Sequence, residues 1–90
     1  MKEIYNNGYK VVNAYKVERP KNVSSNYKGL YIVIAHNESK ECPQPWVCWY
    51  MEDDGYKRSF YWGKYSQDDI FPKQEFIKRI ISEERLMIEL

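Results

Sequence analysis

The sequence predicts an α+β domain in which an antiparallel sheet of four to five strands carries one C-terminal amphipathic helix on one face. Three observations predict this class: residue types that alternate with a period of two, an Asp-Gly turn between two aromatic-rich runs, and a later segment with apolar residues at helical spacing. Ninety residues are too few for two domains, so we expect residues 1–90 to form a single domain.

The first strands lie on either side of a turn signal, Asn-Asn-Gly, at residues 6–8. Residues 2–5 are expected to pair back as a short strand on a longer strand at 9–18. Residues 19–29 contain proline, asparagine, serine and glycine without an apolar period, and are predicted to form a loop. The alternation along the second strand predicts an inward face made of Tyr9, Val11, Asn13, Tyr15 and Val17.

The centre of the sheet is expected at residues 30–36, an apolar run rich in β-branched residues that predicts a strand buried on both faces. Residues 46–53 and 56–65 flank Asp54-Gly55 and predict a hairpin, which makes 46–65 part of a meander. A two-residue turn is preferred because it places Glu52 opposite Lys57. A three-residue turn that includes Asp53 would swap the faces of the second strand.

A helix is predicted over residues 72–85, with N-cap candidates at 66–69 and a proline that the first helical turn tolerates. The predicted inward stripe should cover the sheet face that carries Trp49, Phe60 and Trp62. Residues 86–90 fit either a last strand or a continuation of the helix. The inward stripe consists of Phe76, Ile77, Ile80 and Ile81, and the outward residues are Lys73, Glu75, Lys78, Arg79 and Ser82.

The aromatic content, nine tyrosines, three tryptophans and three phenylalanines, is larger than one small core easily holds. If the helix covers the Trp49 face, the surplus on the opposite face predicts a binding surface. The alternative is that these rings are partly buried, with tyrosine hydroxyls reaching solvent. The predicted binding residues are Trp46, Tyr50 and Tyr61, extended by Tyr15 or Tyr9.

Two kinds of partner fit such a surface. A host protein or a second copy of the chain, as a homodimer, would use tryptophan and tyrosine as rigid contact area. The second alternative is a nucleotide or single-stranded nucleic acid, bound by stacking and by the basic N-terminal half. Residues 1–40 hold seven basic and three acidic side chains, a net charge of +4, whereas residues 41–90 hold seven and ten, a net charge of −3.

No catalytic constellation is visible in the sequence. His36 is the only histidine, and Cys42 and Cys48 lack the paired spacing of zinc sites. We therefore expect a non-enzymatic protein with no metal and no cofactor. The longest apolar run, residues 30–35, is too short for a membrane span, and no signal sequence is recognisable, so a cytoplasmic protein with free thiols is expected.

Four short segments follow one another in an order that resembles a pattern in small uncharacterised proteins of phages and mobile elements of Gram-positive bacteria. They are Trp-Val-Cys-Trp-Tyr at 46–50, Asp-Gly-Tyr at 54–56, Tyr-Trp-Gly-Lys-Tyr at 61–65 and Phe-Ile-Lys-Arg at 76–79. The resemblance implies a genomic setting in which small proteins commonly bind and block a host factor. It implies no functional residue, and it leads us to expect an inhibitor of a host protein.

Overall fold

The computed structural model describes residues 3–17 and 29–89, with helix side chains described up to residue 84. In this part of the chain, five antiparallel strands form one sheet in which each strand pairs with the next, and one helix packs on the sheet. The predicted α+β class is confirmed. The elements are β1 (Tyr5–Asn6), β2 (Tyr9–Val17), β3 (Gly29–His36), β4 (Trp46–Asp53), β5 (Arg58–Ser66) and α1 (Ile70–Glu89).

The turn between β1 and β2 is a two-residue turn at Asn7 and Gly8, whose φ angles of 52° and 86° are both positive. Positive φ at both central residues is typical of the type I′ turn that fits the twist of a hairpin. The sequence signal at residues 6–8 is therefore confirmed as a turn, although β1 begins only at Tyr5. Residues 1–2, residue 18 at the end of the predicted second strand and residues 19–28 of the predicted loop lie outside the described residues, while Gly29, the last residue of that predicted loop, begins β3.

A bulge at Val12 divides β2 between the two faces of the sheet. Val11 pairs with Ala35 but Asn13 pairs with Ile34, so Val12 is an extra residue in β2. An extra residue shifts the alternation by one and turns every later side chain to the other face. The prediction of a single inward face on β2 is wrong for this reason. Tyr9 and Val11 pack on one face of the sheet, and Tyr15 and Val17 pack on the other.

The centre of the sheet is β3, and its prediction as a strand buried on both faces is confirmed by residues 32–35, which are at most 4% exposed. Alternate side chains of β3 and β4 enter two separate apolar clusters because successive residues of a strand point to opposite faces. One cluster contains Val33, Ala35, Val47, Trp49 and Met51. The other contains Val17, Ile32, Cys48 and Tyr50, with Phe76 and Ile80 of α1 packed on it.

The hairpin between β4 and β5 has a four-residue loop, since Asp53 pairs with Arg58. The preferred two-residue turn is wrong. The carboxylate of Asp54 accepts the backbone N–H groups of Tyr56 and Lys57 at 2.8 and 2.9 Å, which satisfies the wider loop locally. The register is offset by two residues, so the near part of β5 keeps its predicted face although its partners change: Met51 pairs with Phe60, whereas the two-residue turn would set it opposite Arg58.

The helix covers the sheet face opposite to the predicted one. Phe76 and Ile80 pack on the cluster that contains Cys48 and Tyr50, and not on the cluster of Trp49. The predicted stripe is also wrong in part, because Ile77 and Ile81 are exposed while Arg79 and Glu75 turn towards the sheet.

The ends of α1 are defined by capping and by the tail. The Asp68 carboxylate accepts the N–H groups of Ile70 and Phe71 at 3.0 and 3.2 Å, the arrangement of an N-cap, and Asp68 falls within the predicted cap region. The helix extends to Glu89, so the tail continues the helix and forms no further strand up to that residue.

Candidate functional site

The candidate site forms at a second bulge, in the middle of β5. Cys48 pairs with Lys64 and Tyr50 pairs with Tyr61, so Trp62 and Gly63 together lie opposite Trp49 alone. Trp62 takes up the extra residue in a left-handed backbone conformation, with a φ of 56°. A bulky residue with positive φ is a rare and strained arrangement, and such arrangements concentrate at functional sites.

Gly63 makes this bulge compatible with the packing of the opposite face. A Cβ atom at Gly63 would lie 2.7 Å from Trp49 Nε1 and 2.9 Å from Tyr65 Cε1. The indole of Trp49 therefore occupies the space that any other side chain at residue 63 would need. Its Nε1–H donates to the hydroxyl of Tyr65 at 3.3 Å, which fixes the ring. Gly63 thus leaves room for the ring of Trp49 on one face of the sheet, while the bulge at Trp62 exposes that tryptophan on the other face.

The bulge turns the Trp62 side chain to the helix side of the sheet and leaves it 71% exposed. Its ring makes edge contacts with Tyr50 and Tyr61, at centroid distances of 5.5 and 5.3 Å and interplanar angles of 88° and 86°. The two tyrosine rings are stacked at 6.0 Å. Edge-to-face pairs of this kind contribute about 0.5–1.5 kcal/mol each beyond burial. We call these three residues the Trp62 platform.

Arg79 of α1 holds the backbone of the bulge. Its side chain is 8% exposed, and Nη2 donates to the carbonyl oxygen of Trp62 at 2.6 Å. Nη1 makes a longer contact of 3.5 Å with the carbonyl oxygen of Cys48. A bulge interrupts the ladder and leaves backbone groups without their usual partners. The guanidinium supplies donors at this interruption, which explains why a residue predicted to face outward lies against the sheet.

Two carboxylates complete the polar network between the helix and the platform. Arg79 Nε donates to Glu75 Oε2 at 2.8 Å, one helical turn away. The hydroxyl of Tyr50 donates to Glu83 Oε2 at 3.1 Å, and the guanidinium carbon lies 5.0 Å from the centre of the Tyr50 ring. Among the described residues, no buried side-chain nitrogen or oxygen lacks a hydrogen-bond partner. The network is therefore satisfied within the chain and holds the platform rigid.

Four of the sequence-predicted binding residues lie on the helix side of the sheet, but they do not form one exposed face. Tyr50 is buried and Tyr61 is half-buried, and both form the base of the platform. Trp46 packs against His36 with a centroid distance of 4.2 Å and an interplanar angle of 34°, at the edge of a groove of about 430 Å³ between α1 and the sheet. Tyr15 is half-buried, and its hydroxyl donates to Glu84.

Tyr9, the fifth predicted residue, lies on the opposite face because of the Val12 bulge. Its hydroxyl donates to the carbonyl oxygen of Gln44 at 2.8 Å and lies 3.3 Å from Cys42 Sγ. Burial, and then the hydrogen bond with the Cys42 thiol, raises the pKa of Tyr9 to about 12. Through these contacts, Tyr9 of β2 holds the loop that precedes β4 against the sheet.

Sequence reasoning missed the two central residues of the site. The sequence predicts Trp62 under the helix because a strict period of two does not allow for the bulge, and it predicts Arg79 in solvent because helical spacing alone puts that residue on the outward face. The signals that point to them are the glycine after Trp62, which is unusual inside a strand, and the Phe-x-x-Arg spacing that ends at Arg79.

The described residues contain no group of three His, Cys, Asp or Glu side chains that could hold a metal ion. Burial raises the pKa of Cys48 to about 11, so its thiol stays protonated near neutral pH and is a poor nucleophile. Within the described part of the chain, no helix is long and apolar enough to cross a membrane.

Comparison of the chain with protein-family models, with curated proteins and with solved structures gives no match. The geometry of the Trp62 platform is therefore the basis for assigning a function.

Proposed function

We propose that this protein is a non-enzymatic protein-binding module in which Trp62 is the anchor of the contact surface. The observation that carries the proposal is a tryptophan that is 71% exposed and held in a left-handed backbone conformation by a buried arginine. Strain in an exposed bulky residue persists only where the surroundings impose it. In this protein, Arg79 of α1 imposes the left-handed conformation through its hydrogen bond to the carbonyl oxygen of Trp62.

The platform has the properties of a binding hot spot. Tryptophan is the residue type most enriched among side chains whose truncation weakens a protein interface by 2 kcal/mol or more. The ring contacts of Trp62 with Tyr50 and Tyr61 fix its orientation in the free protein, so little side-chain entropy is lost on binding. The proposed binding surface still includes the sequence-predicted residues Trp46, Tyr50 and Tyr61, but its exposed anchor is Trp62.

The charges around the platform favour a protein over a nucleotide or a single-stranded nucleic acid. Stacking of bases works together with cations that neutralise phosphate. The cation that contacts Trp62 is Arg79, whose guanidinium is buried and bonded to backbone carbonyls and to Glu75. Glu83 adds a further carboxylate beside Tyr50. Among the described residues, the guanidinium next to Trp62 is therefore already committed, and a phosphate there would lie close to the carboxylates of Glu75 and Glu83.

Two further expectations belong to the same proposal. The cysteines at 42 and 48 are both free thiols, which supports a reducing compartment such as the cytoplasm. Blocking of a host protein, the action implied by the resemblance to phage and mobile-element proteins, is one way for a module of this kind to act.

The test uses Trp62→Gly, because glycine adopts a positive φ without strain and removes the ring without disturbing the bulge. The matched control is Tyr56→Ala, which removes an aromatic ring that is 81% exposed in the hairpin loop. Tagged wild-type protein and both variants are incubated with a bacterial lysate, and bound proteins are quantified by mass spectrometry. We expect a partner that wild type and Tyr56→Ala retain and Trp62→Gly loses.

The partner is then purified, and calorimetry should give a dissociation constant for Trp62→Gly about 30-fold higher than for wild type. Identical partner sets for wild type and a folded Trp62→Gly chain would overturn the proposal. Tryptophan fluorescence is also titrated with nucleotides and oligonucleotides at low and high salt. Quenching that disappears in Trp62→Gly and weakens with salt would assign the platform to the nucleic-acid alternative instead.

A further inference from the structure

The outer side of α1 carries a second apolar stripe that the sheet does not use. Ile70, Ile77 and Ile81 are 62%, 56% and 54% exposed, while Phe76 and Ile80 make the contact with the sheet. An outward helix face is normally polar, so three isoleucines in line are unusual. This stripe lies on the flank of α1 that borders the groove, away from the flank where Arg79 meets Trp62.

The spacing of the stripe is that of a coiled-coil seam. Together with the exposed Gln74 and Glu84, the isoleucines occupy positions 70, 74, 77, 81 and 84, with alternating steps of four and three residues. Such alternation keeps one face of a helix against a second helix over several turns. The stripe therefore matches a partner helix, and the question is which helix.

We propose that the partner is a second copy of this chain, whose α1 packs antiparallel on the outer stripe of the first. In an antiparallel pair, the register that sets Ile77 opposite Ile81 of the second copy also sets Gln74 opposite Glu84 of the second copy. One oxygen of that carboxylate, Oε1, accepts from Tyr15 of its own chain, so the amide of Gln74 would donate to the other, Oε2, and two-fold symmetry repeats both contacts. The two polar residues of the seam thus face each other in the register that sets Ile77 opposite Ile81.

The parallel orientation lacks this complementarity. In register, it would place Glu84 against Glu84 of the second copy and leave two like charges in the seam. In the antiparallel pair, Lys73, whose ammonium forms an ion pair with Asp69 of its own helix at 2.8 Å, also lies beside the Glu84 carboxylate of the second copy. The charges of the helix therefore favour the antiparallel direction over the parallel one.

The groove beside the stripe extends the same surface. Ile77 lines both the stripe and the groove, and the groove continues to Val12, which is exposed, and to Trp46. A second helix lying on the stripe would cover this apolar edge as well. The platform stays free in such a dimer, because Trp62 lies on the other flank of α1.

The test measures the oligomeric state of the full chain by sedimentation equilibrium. Protein concentrations reach about 1 mM, so that a dimer with a dissociation constant as weak as about 1 mM is still detected. Ile77→Lys places a charge in the seam, and Ser82→Lys adds the same charge at an exposed position of α1 outside the seam. We expect a wild-type dimer whose dissociation constant rises at least about tenfold in Ile77→Lys and stays within about twofold in Ser82→Lys. Circular dichroism and thermal melts establish that each variant is folded.

A second pair of variants tests the direction. Gln74→Lys should tighten the antiparallel dimer by pairing with Glu84 of the second copy, and Gln74→Glu should weaken it. A monomeric wild type up to the highest concentration, or a dimer unaffected by Ile77→Lys, overturns the proposal. Weakening by both Gln74 variants would overturn the antiparallel direction. Trp62→Gly should dimerise like wild type, which separates this result from the test of protein binding.

Discussion

Replacement of Arg79 by alanine is the most informative single perturbation, because this side chain joins the helix, the β5 bulge and the acidic residues of α1. The substitution removes the hydrogen bond of 2.6 Å to Trp62 O and the ion pair of 2.8 Å with Glu75. It leaves a carboxylate and a bulge carbonyl without their partner in a site where the Glu75 side chain is only 15% exposed.

The expected loss of stability follows from these contacts. Breaking one side of a buried ion pair costs about 3–5 kcal/mol, and a hydrogen bond to a charged group contributes about 1.5–3 kcal/mol. Because Glu75 keeps some access to water, we expect about 3 kcal/mol. A chain of this length has a total stability of about 5–13 kcal/mol, so the variant should fold but unfold far more easily.

The assay is urea unfolding followed by tryptophan fluorescence. With an m value of about 1.2 kcal/mol/M, a loss of 3 kcal/mol moves the unfolding midpoint down by about 2.5 M. Lys78→Ala, one residue away and exposed, is the control and should change stability by less than about 0.5 kcal/mol. Arg79→Lys keeps the positive charge but lacks the planar guanidinium that donates to Glu75 and to the Trp62 carbonyl together. Its loss of stability should therefore lie between those of Lys78→Ala and Arg79→Ala.

A double-mutant cycle with Glu75→Gln separates the ion pair from the bond to the bulge. The coupling between Arg79 and Glu75 should be at least about 1 kcal/mol. If Arg79→Ala destabilises the protein no more than Lys78→Ala does, then the guanidinium does not hold the bulge and the account of the Trp62 platform is wrong.

Three further predictions concern other parts of the chain. Gly63→Ala should destabilise the protein by about 1–3 kcal/mol in urea unfolding, because its methyl group would meet the ring of Trp49; an unchanged midpoint would contradict the packing described. A disulfide reagent at neutral pH should label Cys42 in the folded protein and Cys48 only after unfolding, since burial raises the pKa of the Cys48 thiol to about 11; equal labelling rates would refute this. Backbone N–H groups of the hairpin loop hold the pKa of Asp54 below its usual value, so the carboxylate stabilises the fold above a pH of about 3.9 and this stabilisation is lost as the pH falls through the lowered pKa. Asp54→Asn should therefore lower the urea midpoint at pH 7 and lower it less in strong acid. A difference between variant and wild type that does not change with pH would count against a role of the carboxylate.

The parts of the fold that follow local rules could be predicted from the sequence. The apolar run of β3, the turn signal at residues 6–8 and the cap residues before α1 each depend on neighbouring residues only. The wider loop of the hairpin could not be inferred, because both loop lengths suit the same Asp-Gly pair and the choice depends on how the Asp54 carboxylate is satisfied.

The assignment of faces failed for a physical reason that the two bulges share. A single extra residue leaves the composition of a strand unchanged but reverses every side chain beyond it. Val12 in β2 and Trp62 in β5 are such residues, and nothing in the alternation itself marks them. The helix stripe failed for a related reason, since Arg79 is buried by acceptors on distant strands that helical spacing does not reveal.

Trp62 and Arg79 therefore act as one unit that links the fold to the proposed function. The left-handed conformation of Trp62 costs about 1–3 kcal/mol, which is similar to the 1.5–3 kcal/mol expected from a hydrogen bond donated by a charged group. The exposed position of the indole thus persists because the helix is docked with Arg79 against the bulge. Loss of the ring alone leaves the bulge and its arginine in place, whereas loss of the arginine removes the interaction that keeps the ring presented. Effects on stability and on partner binding can for that reason be separated at Trp62 but not at Arg79.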